Sequence, residues 1–400
     1  MKKIMAVNAG SSSLKFKLIE MPSEKVISKG IFESILVTNT EEKFESKYKI
    51  DGKQFFAPIR THTEAVKILL DYLIENKIIS SYNEIDGVGH RIVQGGKYFS
   101  KSEVIDEYVQ GKIKELCLLA PLHNSAHLDG IVAFQNISKD LVNVAVFDTA
   151  FHQTMAPDTY MYALPYEWYE KYDVRKYGAH GTSHKYVAQK CAEIMGKPIE
   201  DLKIITCHIG NGASISAVKG GKCIDTSMGL TPLEGIPMGT RSGNIDPAVL
   251  EYMNSIDPEK YTIKELLRIL NRESGYLGVS GISHDSRTLE DNLDINLRAN
   301  LTLDIQYKRI VDYIGSYYVH MGGLDAIVFT AGIGENSYRL RREVLSRLGV
   351  LGVEINEEYN KKVRGEIAEI TTENSKVKAF LIPTEEELMI ARDVYEIITK

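Results

Sequence analysis

Frameworks of disulfide or zinc are missing from this chain. Its 400 residues include four cysteines, Cys117, Cys191, Cys207 and Cys223, with no C-x-x-C spacing and with apolar or strand-like surroundings, so they read as reduced core thiols. Long apolar runs are missing too. The stretch behind Lys2 and Lys3 is only Ile4 to Val7, too short for a signal-peptide core, and no run approaches membrane-spanning length. Positive charge is not in excess: 48 Lys and Arg against 54 Asp and Glu leave a net charge of -6, which supports neither nucleic-acid nor anionic-membrane binding. No segment is of low complexity. No G-x-x-x-x-G-K-[ST] occurs, and Gly332-Ile-Gly runs on to Glu335 and Asn336 without completing G-x-G-x-x-G, which excludes a P-loop and weakens a Rossmann reading. What remains is a cytoplasmic protein of two or three domains, each large enough for a core.

What is present is a coarse echo between the halves. Ile4 to Val7 leads into Asn8-Ala-Gly-Ser-Ser-Ser13, and 200 positions later Ile204 to Cys207 leads into His208-Ile-Gly-Asn-Gly-Ala-Ser214. Each loop is followed by an alternating run, Leu14 to Leu18 and Ile215 to Val218, as in the second strand of a hairpin. Loops without bulky side chains offer backbone N–H groups to an anion, so two phosphate cradles are one reading and two ordinary tight turns the other.

Further along, a polar stretch from Thr38 to Lys53 precedes a helix starting at Thr61-His-Thr-Glu64, where Thr61 and Glu64 have capping-box spacing and Ala65, Ile68, Leu69, Tyr72 and Leu73 form one apolar face. A buried strand, Val142 to Phe147, ends at Asp148, and the Ala156-Pro-Asp region is the expected crossing between lobes. A helix capped at Thr182 or Ser183 stops at Gly196, and a long one from Arg298 to Met321 stops at Gly322-Gly323. Strand Ala326 to Thr330 then meets the glycine turn Ala331 to Asn336, a third anion- or ribose-facing loop before a helix at Ser337. Strand Ala379 to Ile382 leads into a C-terminal helix from Glu385. The pattern predicts a two-lobed α/β protein with a central cleft, its lobes spanning 1–150 with the helix 385–400, and 151–384.

Two arginines sit among glycines that cannot bury them easily: Arg91 in Gly89-His-Arg-Ile-Val-Gln-Gly-Gly96 and Arg241 in Gly239-Thr-Arg-Ser-Gly243. Arginine binds carboxylate or phosphate bidentately and neutralises a transferring phosphoryl group. A loop salt bridge is the plain alternative for either alone. His123, His180 and His208 also lie in loops, with His180 just before a helix N-terminus; His90, His127 and His184 read as structural. Asp148, at the end of a buried strand, suits a metal-bound water, a base or a turn cap. Glu385-Glu-Glu387 reads as complementation of a helix dipole.

Taken in order, six segments resemble the short-chain acyl kinases, the acetate, propionate and butyrate kinase (acetokinase) family. They are Asn8-Ala-Gly-Ser-Ser-Ser-Leu-Lys15, Phe147-Asp-Thr-Ala-Phe-His152, His180-Gly-Thr-Ser-His184, Asp225-Thr-Ser-Met-Gly-Leu-Thr-Pro-Leu-Glu234, Gly239-Thr-Arg-Ser-Gly243 and Phe329-Thr-Ala-Gly-Ile-Gly-Glu-Asn336. The resemblance covers essentially the whole chain. It implies the actin-like ATPase fold of two duplicated lobes, a homodimer formed through the C-terminal lobe, and reversible transfer of the ATP γ-phosphoryl to a short-chain carboxylate, giving an acyl phosphate and ADP. It implies Mg²⁺, with Mn²⁺ as a substitute. By the same resemblance Asn8 and Glu386 belong to the magnesium site and Lys15 contacts ATP. Arg91 binds the carboxylate, Asp148 is an essential acid, and His180 and Arg241 stabilise the transition state. Nucleotide-binding segments are His208, Ile209, Gly210, Asn211 and Gly212, then Asp285, Ser286 and Arg287, then Gly332, Ile333, Gly334, Glu335 and Asn336.

The acyl pocket implied in the same way is walled by Val93, Leu122, Ala179 and Pro232, with His123 beside it. Three residues depart from the family pattern: Gln94 where His is usual, Asn244 where Asp is usual, and Ala179 where Phe is usual. Loss of the Phe ring should leave room for further methylenes, so propionate, and butyrate to a lesser degree, are expected substrates beside acetate. A sugar kinase on the same fold would instead need a carboxylate base for a hydroxyl and no convergence of Arg91 with Arg241. A non-metabolic actin-like ATPase would carry a polymer interface or a peptide-binding domain.

Overall fold

The computed structural model describes residues 1–35, 45–120, 123–138 and 141–400. They divide into two units, Met1–Phe151 with Glu385–Lys400, and His152–Thr384. Each has its own sheet and core.

In the first unit, β1 (Lys2–Gly10), β2 (Ser13–Met21), β3 (Lys25–Glu33), β4 (Ser46–Ile50), β5 (Lys53–Ala57), β6 (Gly87–Ile92), β7 (Glu103–Val104) and β8 (Asn143–Phe147) form one sheet in the order β5-β4-β3-β2-β1-β6-β8-β7. β1 to β5 is an antiparallel meander, β6 and β8 lie parallel to β1, and β7 returns antiparallel. Both faces of the central strands are covered, which is why Ile4 to Val7 is an unbroken apolar run. Met5, Val7, Leu14, Phe16 and Val88 pack with residues of the helices His62–Glu75 and Asn124–Ile137, while Ile4, Ala6, Ile19, Val144 and Val146 pack with Ile390, Ala391 and Val394 of the C-terminal helix Glu386–Thr399. That helix lies close to the sheet because Gly89 has no side chain. A Cβ there would stand 2.3 Å from Ile390 Cγ2 and 2.7 Å from Val394 Cγ2.

The second unit contains β9 (Lys203–Ile209), β10 (Ala213–Lys219), β11 (Lys222–Thr226), β12 (Ala326–Thr330), β13 (Ala368–Glu369) and β14 (Lys378–Leu381), in the order β11-β10-β9-β12-β14-β13. β9 to β11 pair antiparallel, β12 and β14 join parallel to β9, and β13 returns antiparallel. This repeats β3-β2-β1-β6-β8-β7 strand for strand in order and sense. The halves therefore echo each other in topology, and a two-sheet α/β fold is what the sequence pattern predicts.

Several boundaries differ from expectation, each because distant pairing or packing overrides local pattern. Asn8, Ala9 and Gly10 continue β1, pairing with Lys15, Leu14 and Ser13, so the first loop shrinks to Ser11 and Ser12. In the second hairpin only Gly210 to Gly212 stay outside the strands. The helix Gly181–Met195 is capped by His180, at φ 58°, ψ 22°, two residues ahead of Thr182. Ala331–Asn336 is itself a short helix, entered through a left-handed Ala331 at φ 64°, and Ser337 caps the helix Tyr338–Ser346. The units meet in sequence between Phe151 and His152, ahead of Ala156. Within the polar stretch 38–53, positions 38–44 lie outside the described residues, and the remainder holds β4 and the start of β5. Other expectations stand: Thr61 Oγ1 accepts from Glu64 N at 3.1 Å, and Gly196 and Gly322 end their helices with φ of 61° and 70°.

Candidate active site

Asn8, Arg91 and Asp148 lie at the C-terminal ends of three neighbouring parallel strands of the first unit. Val7 pairs with His90 and Ile92 pairs with Phe147, and Asp148 N donates to Ile92 O at 2.8 Å. Strand ends of this kind gather polar side chains beyond the hydrophobic layer. Asp148 is fully buried and accepts from Arg91, with Nη2 to Oδ2 at 2.7 Å and Nε to Oδ2 and Oδ1 at 3.1 and 3.2 Å. The fork fixes the guanidinium plane. Burial works against the Arg91 charge, but Asp148 and Glu386 outweigh it and hold its pKa above the usual arginine value.

The three glutamates that read as dipole complementation are each paired with cations from the sheet, Lys17 being shared by two of them. Glu385 pairs with Lys17, Glu386 stands 3.7 Å from Arg91 Nη1, and Glu387 lies 2.6 Å from Lys15 Nζ and 3.4 Å from Lys17 Nζ. Burial raises the Glu386 carboxyl above the ordinary carboxylate range; Arg91 opposes this, while Asp148 and Glu387 add to it. Glu386 Oε1 is buried with no hydrogen-bond partner. Burial pushes Glu387 upward as well, yet Lys15 and Lys17 prevail and its pKa falls. Oxygen donors with one buried carboxylate oxygen unpaired suit a hard cation such as Mg²⁺, which uses one or two carboxylates and keeps waters and phosphates as its other ligands. Among the described residues no group of three or more His, Cys, Asp or Glu forms a metal site by itself.

Val93, buried, donates its backbone N–H to His127 Nδ1 at 3.4 Å, and His123 precedes the helix Asn124–Ile137; Leu122 lies outside the described residues. Gln94 takes over a local bond, its Oε1 accepting from Gly96 N at 2.9 Å. His90 and His127 are buried, as structural histidines should be. Burial pushes His90 down to about 4, and His127 falls well below its usual value through burial and the charge of Arg91.

In the second unit the histidines form a chain of hydrogen bonds. His184 Nδ1 meets Thr206 Oγ1 at 2.7 Å, His184 Nε2 meets Ser214 Oγ at 2.7 Å, and Ser214 Oγ meets His180 Nδ1 at 2.8 Å. Because the Thr206 hydroxyl donates to Ser216 O at 3.4 Å, it accepts from His184 Nδ1–H. Burial first, then His152 and His208, holds the His184 pKa well below its usual value, so the ring is neutral and its Nε2 accepts from Ser214. Ser214 then accepts from His180 Nδ1–H. Proton counting thus places the proton of the neutral His180 ring on Nδ1.

His180 stacks on His208 with centroids 4.1 Å apart, and His208 Nδ1 meets Ser183 Oγ at 2.8 Å. The left-handed backbone at His180 costs a non-glycine residue of order 1 kcal/mol or more, and the fold retains it. His152 Nε2 helps by meeting Ala179 O at 2.9 Å. Arg241 converges with this ring: a Cβ built on Gly212 would lie 3.4 Å from Arg241 Nη1 and 3.7 Å from His180 Nε2. Arg241 has no carboxylate partner among the described residues, only Met238 Sδ at 3.8 Å, and burial lowers its pKa. Ala179 is buried at 2% exposure, and Pro232 is half-buried. Asn244 keeps its loop closed, with Oδ1 accepting from Gly235 N at 2.8 Å and Nδ2 donating to Tyr313 Oη at 2.9 Å.

A cavity of about 910 Å³ opens in the same unit. Gly210, Asn211, Asp285, Ser286, Arg287, Gly332, Ile333 and Asn336, all from the segments assigned to the nucleotide, line it. His284, Glu290, Ser337 and Arg364 line it as well, and the sequence reading missed them. Only Ser337, next to a glycine-rich turn, gave a local signal. Gly239 lets two walls close together, since a Cβ there would fall 1.9 Å from Asn211 Oδ1 and 3.0 Å from His284 O. Asp285 caps the helix Ser286–Glu290 and pairs with Arg287, whose hydrogen bond lowers the Asp285 pKa. Glu335 Oε1 accepts from Thr384 N at 3.2 Å. Six residues assigned to the nucleotide are not among the lining: His208, Ile209, Gly212, Gly334 and Glu335 of the same unit, and Lys15, which belongs to the first unit and pairs there with Glu387.

The chain is similar to known proteins over nearly its whole length. A model of the Acetokinase family matches residues 3–392. The acetate kinase of Onion yellows phytoplasma (strain OY-M) is 53% identical over 393 residues, covering 98% of this chain and 94% of the relative. The crystal structure of Porphyromonas gingivalis acetate kinase superposes with a TM-score of 0.92 at 43% identity, covering 100% of both chains. A propionate kinase from Francisella tularensis subsp. tularensis SCHU S4 gives a TM-score of 0.90 at 41% identity, covering 99% of this chain and 100% of the other. The architecture is that of the acetate and sugar kinase, heat-shock and actin ATPase fold.

Proposed function

The chain belongs to the acetokinase family, phosphotransferases with a carboxyl group as acceptor, and we propose that it transfers the γ-phosphoryl of ATP reversibly to acetate, giving acetyl phosphate and ADP. The observation that carries this reading is the chemistry of the two residue sets. Arg91, oriented by Asp148, suits a carboxylate, and Arg241 with His180 beside Gly212 suits a transferring phosphoryl group.

Acetate needs no general base, because a carboxylic acid with a pKa of roughly 4 is ionised at neutral pH. The barrier is the repulsion between an anionic acceptor and a triphosphate, and a loose in-line transfer asks mainly for positioning and charge neutralisation. Arg91 binds the carboxylate. Arg241 and the cationic form of His180 donate to the phosphoryl oxygens. Bound Mg²⁺, for which Mn²⁺ substitutes, supplies further neutralisation of the phosphate oxygens; Asn8, Asp148 and Glu386 are the residues that would hold it or its waters. Lys15 holds Glu387 and keeps other donors for the nucleotide.

Two further statements belong to the same proposal. We place the protein in the cytoplasm, where ATP is found; no helix among the described residues is long and apolar enough to cross a membrane. We also propose a homodimer. Val249, Tyr252 and Ile256 on the helix Ala248–Ile256, with Ile263 and Leu267 on the helix Ile263–Arg272, leave apolar side chains exposed that a second copy would cover.

The deciding assay supplies ATP, Mg²⁺ and acetate, propionate, butyrate or a sugar, and traps acyl phosphate with hydroxylamine. Hydroxamate is expected with acetate. Its absence with every carboxylate would remove the proposal, and ADP release with a sugar alone would move the chain to the sugar-kinase reading.

A further inference from the structure

Arg341, on the helix Tyr338–Ser346, is the largest fully buried side chain of the described residues, at 0% exposure. It forms no salt bridge among them. All five of its N–H donors are used on uncharged oxygens. Nε donates to Asn360 Oδ1 at 2.7 Å, Nη1 to Gly334 O at 2.8 Å and Glu335 O at 2.9 Å, and Nη2 to Val363 O at 3.0 Å and Asn360 O at 3.2 Å. Burial lowers its pKa to about 10, with the Arg364 charge adding to the shift, so the group stays cationic at neutral pH. A buried guanidinium without a counter-ion is expensive unless every donor is satisfied. Here the acceptors include carbonyls at the ends of short helices, where partial negative charge collects.

The placement of those acceptors gives the arrangement a functional meaning. Gly334 and Glu335 belong to the segment whose Gly332, Ile333 and Asn336 line the large cavity. Val363 directly precedes Arg364, which lines the same cavity from another segment. Arg364 Nη1 shares the Val363 carbonyl at 2.7 Å, and Gly365 N donates to Glu335 O at 3.3 Å. Asn360 Nδ2 returns to Tyr338 O at 2.9 Å, which closes the ring of bonds. One guanidinium thus ties two cavity walls that are about thirty positions apart in sequence and have no strand pairing between them.

We propose that Arg341 is a positioning residue for the nucleotide, fixing the segment 332–336 against the segment 360–364 so that the cavity keeps the shape the nucleotide needs. The inference rests on the reading of that cavity as the nucleotide site. A side chain that only stabilised the fold would lower the unfolding temperature without separating one substrate from the other.

The test uses the full chain carrying Arg341→Met, Arg341→Lys or Asn360→Ala. It measures KM for ATP and for acetate, the Kd for ADP by calorimetry, and the unfolding midpoint. Arg341→Met should raise KM for ATP and Kd for ADP about tenfold or more, with KM for acetate held within about twofold. Arg341→Lys, which keeps the charge and loses the fork, should fall between it and the parent, and Asn360→Ala should shift the same constants less. Should Arg341→Met fail to fold, the other two variants decide. Nucleotide constants within about twofold of the parent in folded variants, with only the midpoint lowered, would overturn the inference. If the parent chain shows no saturable ADP binding, the nucleotide reading falls and takes this one with it.

Discussion

The two units share one six-strand arrangement and put opposite kinds of chemistry on it. At the strand ends of the first unit stand formal charges in alternation: Arg91 against Asp148 and Glu386, Lys15 and Lys17 against Glu385 and Glu387. In the second, the corresponding region holds a nearly neutral chain of hydrogen bonds through Thr206, His184, Ser214 and His180, with Arg241 as a charge lacking a carboxylate partner among the described residues. The hairpins differ in the same spirit. β1 turns into β2 through Ser11 and Ser12, whereas β9 and β10 are separated by Gly210 to Gly212, leaving backbone exposed at a cavity wall. Topology decides where polar side chains can gather; residue types decide whether the gathering place neutralises an anion by charge or positions a donor.

If that contrast is sound, removing charge from the first unit should cost more than removing a hydrogen bond from the second. Arg91→Ala should lower kcat/KM about a thousandfold or more, in the range seen when a transition-state charge partner is removed. Asp148→Asn should follow at about a hundredfold, with an altered dependence on Mg²⁺ concentration. A rate loss with unchanged Mg²⁺ dependence would leave Asp148 only its observed task of orienting Arg91. Ser214→Ala removes one link of the histidine chain and should lower kcat about tenfold, the equivalent of one modest hydrogen bond. A loss as deep as that of Arg91→Ala would break the comparison.

Ala179→Phe should sharpen it from the side of specificity. Restoring the ring should cut the propionate-to-acetate ratio of kcat/KM by about tenfold, within the worth of one or two methylenes in a pocket. An unchanged ratio would mean that another side chain already occupies the space. The last prediction concerns pH and reads stability, not rate. His90 and His127 in the first unit and His184 in the second are buried with lowered pKa values, His90 to about 4. The unfolded chain therefore takes up protons first as pH falls below roughly 6.5. Stability is complete above that value and declines on acidification, by up to about 1.4 kcal/mol per pH unit for each histidine. Urea unfolding between pH 7 and 4.5 should show this slope, and His90→Gln should flatten it by up to one proton.

Much of the scaffold is written locally. Thr61 and Glu64 announce a helix start because a hydroxyl reaches an N–H three residues on, and Gly196 and Gly322 announce helix ends because each adopts a left-handed conformation. The glycine-rich runs around Gly210 and Gly332 mark a cavity wall for a similar short-range reason, since bare backbone permits close approach. Such signals span a few residues, and the sequence carries them whole. It also carries Arg91, Asp148, His180 and Arg241 as candidates through the company they keep.

What tertiary structure decided lies across long separations. Asn8 to Gly10 look like a loop until pairing with Ser13 to Lys15 extends β1 through them. Glu385 to Glu387 look like one acidic turn until packing of the C-terminal helix against Gly89 delivers them to Lys15, Lys17 and Arg91. Arg341 looks like any helical arginine until burial surrounds it with five carbonyl and amide oxygens. A residue type with its near neighbours settles what a side chain can do. Its partner is settled by sheet register and helix packing over tens or hundreds of positions, and no local pattern encodes that.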